Sequence, residues 1–518
     1  MSGDGIQLAA HSRRVPGSRN AGVPALPARE ASGPAATDSA PPPVSRKQQA
    51  SVLASAFITI TLTVGYNQCY GVFQEYYLSP GQTLLKPAPA SLSSPPTALL
   101  AFVGTLGSGL TWAGSVAVSP LVSRIEHTES LSPAARASLS WWRRRLLAHI
   151  SVRWVTISGV LLMSLGFALA SFATKLWHLL LTQGLLYGVG SSMLYFPLLS
   201  PAPEYFTLHR ATAMGVILAG GGVGGLAFSP LLRALLASLG AATTLRIWAL
   251  VVLLVGIPVA IAVPRSRFPA MPPSSADSED ADRGPDAGRR LTHVPRSLLR
   301  KPTMLFSAAA AFCQAAGAVL PISFIPSYSV ALGLDSSSGA LLLAVSNAIN
   351  AASRIATGYA GDRLGRQNAL VMTAVLTMIS VFALWFGSIS SAHDGVSLLG
   401  AQAVWTSTAG ILWVAFIVIY NLAAGGYYAL FPATIAEVFG IRQYAAVNGF
   451  ILVVRGLGTM LGSPVGGQLL RTSHGSSPIA PSYSTVVAWD GALVAFATVC
   501  FMGVRWADAQ TKGWHWKA

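Results

Sequence analysis

"NAINAASRIATGYAGDRLGRQ", residues Asn347 to Gln367, is the stretch on which the fold turns. Its first half is a run of small and apolar residues interrupted by one arginine, Arg354. Its second half sets Asp362, Arg363 and Arg366 close together among glycines. An apolar run needs about 20 residues to cross a bilayer. A run that ends in such a charge cluster reads as a membrane helix stopping at the interface. Arg354 is then the anomaly: it lies eight residues before Asp362, about 12 Å inside the helix at about 1.5 Å per residue.

The rest of the chain has the same character. Of its 518 residues 52% are hydrophobic and only 10% charged, with a mean hydropathy of +0.55. Soluble domains carry roughly 25% charged residues, so these charges cannot cover the surface of a soluble protein this large. The composition implies an all-α polytopic membrane protein whose partner is the lipid bilayer. The net charge of +16 sits at the ends of apolar segments and not on one basic face. It marks topology and excludes nucleic acid as a partner. Cys69, Cys313 and Cys500 fall in apolar segments and read as packing residues.

Apolar runs recur near 50–73, 97–120, 154–174, 177–200, 211–236, 245–263, 303–328, 337–361, 369–390, 409–433, 443–470 and 485–505, twelve in all. An even count puts both termini on one side. That side carries the arginine-rich tail, the arginines of 124–153 and those of 265–300, whereas the opposite loops hold little beyond Lys86, Lys175, Arg246 and Arg471. The positive-inside rule makes it the cytoplasmic side. The expected domains are a disordered cytoplasmic tail (1–47), a six-helix bundle (48–263), a cytoplasmic linker (264–302), a second six-helix bundle (303–506) and a short C-terminal tail (507–518). "SWWRRRLLAHI", within 125–152, reads either as a basic segment on the membrane surface or as a solvated loop. The membrane expected is the plasma membrane, with an internal one such as the vacuole as the alternative.

The two bundles repeat one another. "MGVILAGGGVGGLAFSP" (214–230) aligns without a gap on "NGFILVVRGLGTMLGSP" (448–464), pairing Gly215 with Gly449, Gly222 with Gly456, Gly224 with Gly458 and Pro230 with Pro464. Upstream, Pro197, Glu204, Phe206 and Arg210 are echoed by Pro432, Glu437, Phe439 and Arg442. Glycines at such spacing let helix backbones approach closely. Two repeated bundles rocking about a central site are the architecture of alternating access.

With these motifs the chain resembles the major facilitator superfamily. "GYAGDRLGRQ" is similar to its G-x-x-x-D-R-x-G-R signature, of which the first half keeps only the remnant "SPLVSRIE" (119–126). The monocarboxylate porter family, fungal branch, is the closer resemblance. It rests on "GVFQEYY" (71–77), "EYFTLHRATAMGVILAGGGVG" (204–224) and "GSPVGGQLL" (462–470), and it extends over nearly all of 50–506. The resemblance implies the major facilitator fold and secondary transport of a small organic anion, most simply a monocarboxylate. Two departures bear on protons. Gln68 stands where animal members carry lysine, and Asn350 stands where their D-x-x-x-R motif begins, although Arg354 completes it.

The candidate substrate-binding residues follow from burial and from that resemblance. Arg455 lies thirteen residues past Arg442, about 20 Å along its helix, too deep for easy snorkelling. Arg354 either snorkels to the interface or forms an anion site. An arginine near a helix centre costs about 2.5–3.5 kcal/mol on insertion scales, and no carboxylate in the spans stands ready to neutralise these two. An anionic substrate supplies the missing charge through bidentate contacts. Asn350, Gln68, Asn67, Tyr70, Gln314 and Asn421, with Asn347, are hydrogen-bonding candidates that otherwise serve to join helices. Tyr195, Tyr328, Tyr420 and Tyr427 line the path or sit in an interfacial belt. Asp362, Arg363, Arg366, Glu204, Arg210, Glu437 and Arg442 are expected to gate the cytoplasmic end.

No phosphate-binding loop, H-E-x-x-H or Cys/His ligand spacing is present, so the expectation is a transporter and not an enzyme, with no cofactor or metal, working as a monomer. Efflux of a larger metabolite or drug is one alternative, and a nutrient sensor that moves little cargo is another. Asp490 is placed near an outer helix end, and no Asp, Glu or His is placed deep in a span. Weak or absent proton coupling through the protein is therefore expected.

Overall fold

The computed structural model describes residues 44–79, 81, 82, 84, 85, 97–130, 151–206, 210–264, 296–392, 401–473 and 480–514. Residues 1–43 of the expected N-terminal tail, the insertion segment "SWWRRRLLAHI" and residues 265–295 of the central linker lie outside them.

Eleven of the helices described are long and apolar enough to cross a membrane. One of these, Arg210–Ile261, is 52 residues long and breaks at Gly240, where φ is 73° and ψ 171°. Glycine adopts that conformation at no steric cost. Counting its two arms separately, the described residues hold twelve helical segments of membrane-spanning length. We label the spans α1 (Arg46–Leu78), α2 (Thr97–Glu126), α3 (Val152–Ala170), α4 (Leu176–Leu199), α5 (210–239), α6 (241–261), α7 (Pro302–Ala331), α8 (Ser336–Leu364), α9 (Arg366–Ser391), α10 (Thr408–Phe439), α11 (Ile441–Ser473) and α12 (Ser484–Lys512). Helices overrun the expected spans at both ends of the chain. Arg46 and Lys47, expected in the N-terminal tail, open α1, and Asp508, expected in the C-terminal tail, is buried on α12. A membrane helix runs on past the hydrocarbon wherever its neighbours continue to pack it, and hydropathy alone does not register that.

The repeat has a geometric meaning. A Cβ added at Gly224 of α5 would stand 2.9 Å from the backbone of Gly65 on α1, and one at Gly458 of α11 would collide with the carbonyl of Phe312 on α7. Both contacts lie inside a half. A Cβ at Gly222 would stand 2.5 Å from the Asn347 carbonyl on α8, and one at Gly456 would stand 2.6 Å from the Gly109 carbonyl on α2. Both of these cross between halves. Equivalent glycines therefore make equivalent contacts, α5 with α1 and α8, and α11 with α7 and α2. The α5–α8 and α11–α2 approaches form the interface along which the halves meet, and the α5–α1 and α11–α7 approaches tighten each half.

Because crossings alternate in direction, the starts of α1 and α7 and the ends of α6 and α12 share one end of the molecule, here the terminal end. The loops after α1 and α7 mark the far end. The far end is closed. Gly71 of α1 packs against the Ile322 carbonyl and Pro326 of α7, and Gly467 of α11 packs against the backbone of Ala98 on α2. Glu75 of α1 accepts from Arg233 of α5 at 3.1 Å and, across the halves, from the Ser336 hydroxyl of α8 at 3.0 Å. Ser336 follows Asp335, whose carboxylate caps α8 through the Ser338 amide at 3.3 Å. The Ser338 side-chain hydrogen bond holds the Asp335 carboxyl below its ordinary range.

A candidate anion site between the two halves

Arg354 is built into the α5–α8 interface. It lies one turn after Asn350, so its Nε and Nη2 both donate to the Asn350 Oδ1 at 3.1 and 3.0 Å. Its Nη1 donates to the Leu218 carbonyl of α5 at 2.8 Å. Its guanidinium carbon stands 4.4 Å from the centre of the Tyr428 ring of α10. At 5% exposure, with a partner in the opposite half, this side chain is not snorkelling to water.

Arg455 comes to the same tyrosine from α11. Its guanidinium carbon is 4.7 Å from the Tyr428 ring, 5.2 Å from the Tyr427 ring and 4.3 Å from the Trp112 ring of α2. Trp112 in turn meets Tyr195 of α4 edge-on at 5.3 Å. The Arg455 Nε is buried without a hydrogen-bond partner. Each cation–π contact of this kind is worth about 0.5–2 kcal/mol, which offsets the cost of holding the charge in the membrane. Among the described residues no carboxylate pairs with either arginine. The site thus carries two fixed positive charges from two helices, one shared ring and aromatic walls from both halves. Such charges and rings are chemically complementary to an anion that carries apolar surface.

The other candidates are spread through the fold. Asn350 acts here through Arg354. Tyr70 donates to the Leu100 carbonyl at 2.7 Å, with its ring against Gly104, joining α1 to α2. Gln68 is buried and Asn67 half-buried on α1, outside the arginine cluster. Asn421 donates to the Ile417 carbonyl of its own helix at 2.8 Å, and Gln314 lines a cleft inside the second half that shares Tyr427 with the arginine cluster. Of the tyrosines, Tyr195 and Tyr427 belong to the cluster. Tyr328 is packed in the far-end core against Trp413, and Tyr420 lines the Gln314 cleft.

At the terminal end Asp362 and Arg366 form an exposed pair at 3.5 Å, and Arg363 lies over the Tyr359 ring at 5.3 Å. Glu437 accepts from Gln367 at 2.9 Å, Gln367 also donates to Asp508 at 2.8 Å, and Lys512 pairs with Asp508 at 2.8 Å. This network ties α9, α10 and α12 together. Glu204 lies in the turn Ala202–Tyr205, and the side chains of Arg210 and Arg442 fall outside the described residues.

Sequence reasoning missed Trp112, Tyr428, Glu75, Arg233 and the Gln367–Asp508 pair. Glu75 stood inside the quoted "GVFQEYY", and a lone glutamate ending an apolar run was the available signal. Asp490 does lie near the outer end of its helix, six residues after the start of α12, but with none of its surface exposed, a burial the sequence did not signal.

Comparison with known proteins agrees with this architecture. Residues 137–419 match the family model described as Major Facilitator Superfamily. MFS-type transporter 1 of Ophiocordyceps sp. (strain BCC 1869) is 23% identical over 456 residues, 88% of this chain and 84% of that one. The agnestins efflux protein AgnL12 of Paecilomyces divaricatus is 26% identical over 88% of this chain and 89% of its own. Human monocarboxylate transporter 11 is 27% identical over 324 residues, 62% of this chain and 64% of its own. The crystal structure of a bacterial homologue of the human lysosomal transporter Spinster, inward-facing and unoccupied, superposes with a TM-score of 0.58 at 15% identity over 91% of this chain and all of that one. At that identity the likeness concerns the fold.

Proposed function

This chain belongs to the Major Facilitator Superfamily, and we propose that within it the chain exports an acidic secondary metabolite with an aromatic or otherwise flat body. The observation that carries this reading is the meeting of Arg354 and Arg455 on the Tyr428 ring, with Trp112 supplied by the other half and no carboxylate paired to either arginine among the described residues. Two guanidiniums recognise a carboxylate or an acidic enol. The tryptophan and tyrosines offer apolar faces for which a two- or three-carbon acid has no use. The site therefore suits a larger anion better than the small monocarboxylate that the sequence suggested.

The relatives support the same choice. The agnestins efflux protein is similar over nearly its whole length, whereas the monocarboxylate transporter matches over a shorter part of both chains. Fixed positive charge placed in the interface between halves also gives a physical reason for alternating access. The anion binds both halves at once and lowers the cost of closing them around it. With the arginine-rich end cytoplasmic, the state described is closed to the outside, as an exporter waiting for cargo would be. The membrane proposed is the plasma membrane, and the working unit is a monomer.

Thermal unfolding of the purified protein against a panel of aromatic acids and their neutral esters or amides tests the reading. A ligand that binds only the folded state raises the midpoint by mass action. Acids should stabilise and their neutral analogues should not, and Arg455→Gln should remove the difference. Equal stabilisation by both forms would end the anion reading.

A further inference from the structure

Asp490 stands apart from the arginine site, and nothing described above uses it. Its residue is fully buried, and both carboxyl oxygens lack a hydrogen-bond partner. Room for it is made by α7, since the position of a Cβ on Gly317 is 3.1 Å from the Asp490 Oδ1. On the adjoining turns, Gln314 of α7 and Val494 of α12 line a cleft that also takes in Tyr420 of α10 and Thr373 and Thr377 of α9. The Gln314 Oε1 is a further buried acceptor without a donor. At its other end the cleft is lined by Tyr427, whose hydroxyl is buried and unpartnered and whose ring lies under Arg455. Orphaned polar atoms thus run from the carboxyl toward the anion site, where native proteins otherwise pair nearly all such atoms.

Among the described residues the groups facing Asp490 supply no counter-charge. α7 presents Gln314 and Gly317, α9 sets Phe382 against the neighbouring Gly491, and α10 contributes Tyr420, the titratable group that interacts with the carboxyl electrostatically. No lysine, arginine or histidine among the described residues pairs with it. A carboxylate taken out of water without a partner is neutralised in preference to being buried as a charge.

We propose that Asp490 binds a proton inside the second half, and that this proton travels with the anionic cargo, so that the cargo leaves the cell as the equivalent of its free acid. The orphaned atoms of the cleft are where water would carry the proton between Asp490 and the Tyr427–Arg455 end. An ionised Asp490 and a bound anion repel within one poorly screened bundle. Cargo and proton therefore favour one another's binding, by the same factor in each direction. This departs from the expectation of weak or absent coupling through the protein, which rested on the amides Gln68 and Asn350 and on finding no titratable group deep in a span, and did not foresee that Asp490 is buried without a partner. The co-transport rests on the anion-exporter reading; proton binding at Asp490 does not.

Two measurements separate these claims. Difference infrared spectroscopy of the purified protein should show a protonated carboxyl C=O band that shifts in D2O and is lost in Asp490→Asn. In the second measurement, proteoliposomes holding naphthalenesulfonate, which stays ionised throughout, and a lumenal pH dye are diluted into sulfonate-free buffer with the membrane potential clamped. Wild type should export the sulfonate while the lumen turns alkaline. Asp490→Asn should export it with that alkalinisation lost, and Asp490→Glu should regain it. Asp490→Ser serves in place of Asn if the amide does not fold. Absence of the carboxyl band overturns the proton site and favours a bound cation. A band present with sulfonate efflux but no pH change overturns co-transport and leaves a structural proton. No sulfonate efflux from wild type overturns the anion reading and co-transport with it, while the band still decides whether Asp490 holds a proton.

Discussion

Arg455 stands 4.3 Å over the ring of Trp112, a residue of the opposite half of the molecule. The contact couples the orientation of the charge proposed to bind cargo to the relative position of the two bundles. Arg455→Gln should abolish transport of aromatic acids while the protein still folds and reaches the membrane. Arg455→Lys should restore little, because an ammonium lacks the planar fork that pairs with an acid and stacks on rings. Trp112→Leu should weaken anion binding about 2- to 30-fold, the equivalent of one cation–π contact, and Trp112→Phe should keep part of it. Ligand-dependent thermal shifts of the purified variants give the affinities. Normal transport by Arg455→Gln would remove the anion site.

Asn350 holds Arg354 through two hydrogen bonds to one oxygen, at 3.0 and 3.1 Å. The amide orients the guanidinium without neutralising it. Asn350→Asp keeps the shape and adds a permanent counter-ion that competes with cargo. A hydrogen bond between charged groups is worth about 1.5–3 kcal/mol, so anion affinity at neutral pH should fall about tenfold or more. Binding isotherms for one aromatic acid, wild type against variant, check this. Unchanged affinity would mean that Arg354 does not face the cargo.

These two predictions show what the sequence could and could not disclose. Arg354 and Arg455 were legible because charge is scarce in apolar spans, and the Gly222–Gly456 repeat was legible because backbone contact forbids a side chain at both positions. Trp112 and Tyr428 were not. An aromatic residue in a membrane span looks the same whether it faces lipid, core or a cation, and its meeting with Arg455 depends on how distant spans pack. The burial of Asp490 was not legible for a related reason: hydropathy locates a span and its ends, while what covers a residue near an end depends on what packs beside it.

The far-end closure makes a prediction of its own. Glu75 receives Arg233 from its own half and Ser336 from the other. Ser336→Ala removes the donor that crosses. Since hydrogen bonds to charged groups contribute about 1.5–3 kcal/mol, the population open at the far end should rise about tenfold or more. A cysteine at Ile322, whose carbonyl meets Gly71, reports this in a background with Cys69, Cys313 and Cys500 replaced. Its labelling by a membrane-impermeant maleimide should quicken in Ser336→Ala. Arg233→Gln should act in the same direction but less strongly, because its ion pair is partly exposed and screened. Unchanged labelling in both variants would show that the α1–α7 packing alone holds the end shut.

Asp362 and Arg366 lie 3.5 Å apart, both on the second half, with 58% and 45% of their side chains exposed. An exposed pair of this kind contributes about 0–1 kcal/mol to stability, so Asp362→Asn should leave the unfolding midpoint nearly unchanged. Its effect should fall on transport. The state described is closed at the far end, and in the opposite state the terminal end must close over these charges. Burial there would remove the screening that makes the pair weak here. Asp362→Asn should therefore slow or bias closure of the terminal end, lowering turnover while the order of preference among aromatic acids stays as in wild type. Turnover in proteoliposomes, cargo competition and maleimide labelling of a cysteine at Gly358 give the three readings. A changed cargo order would place Asp362 in the binding site instead of at the gate, and a large loss of thermal stability would make it a packing residue.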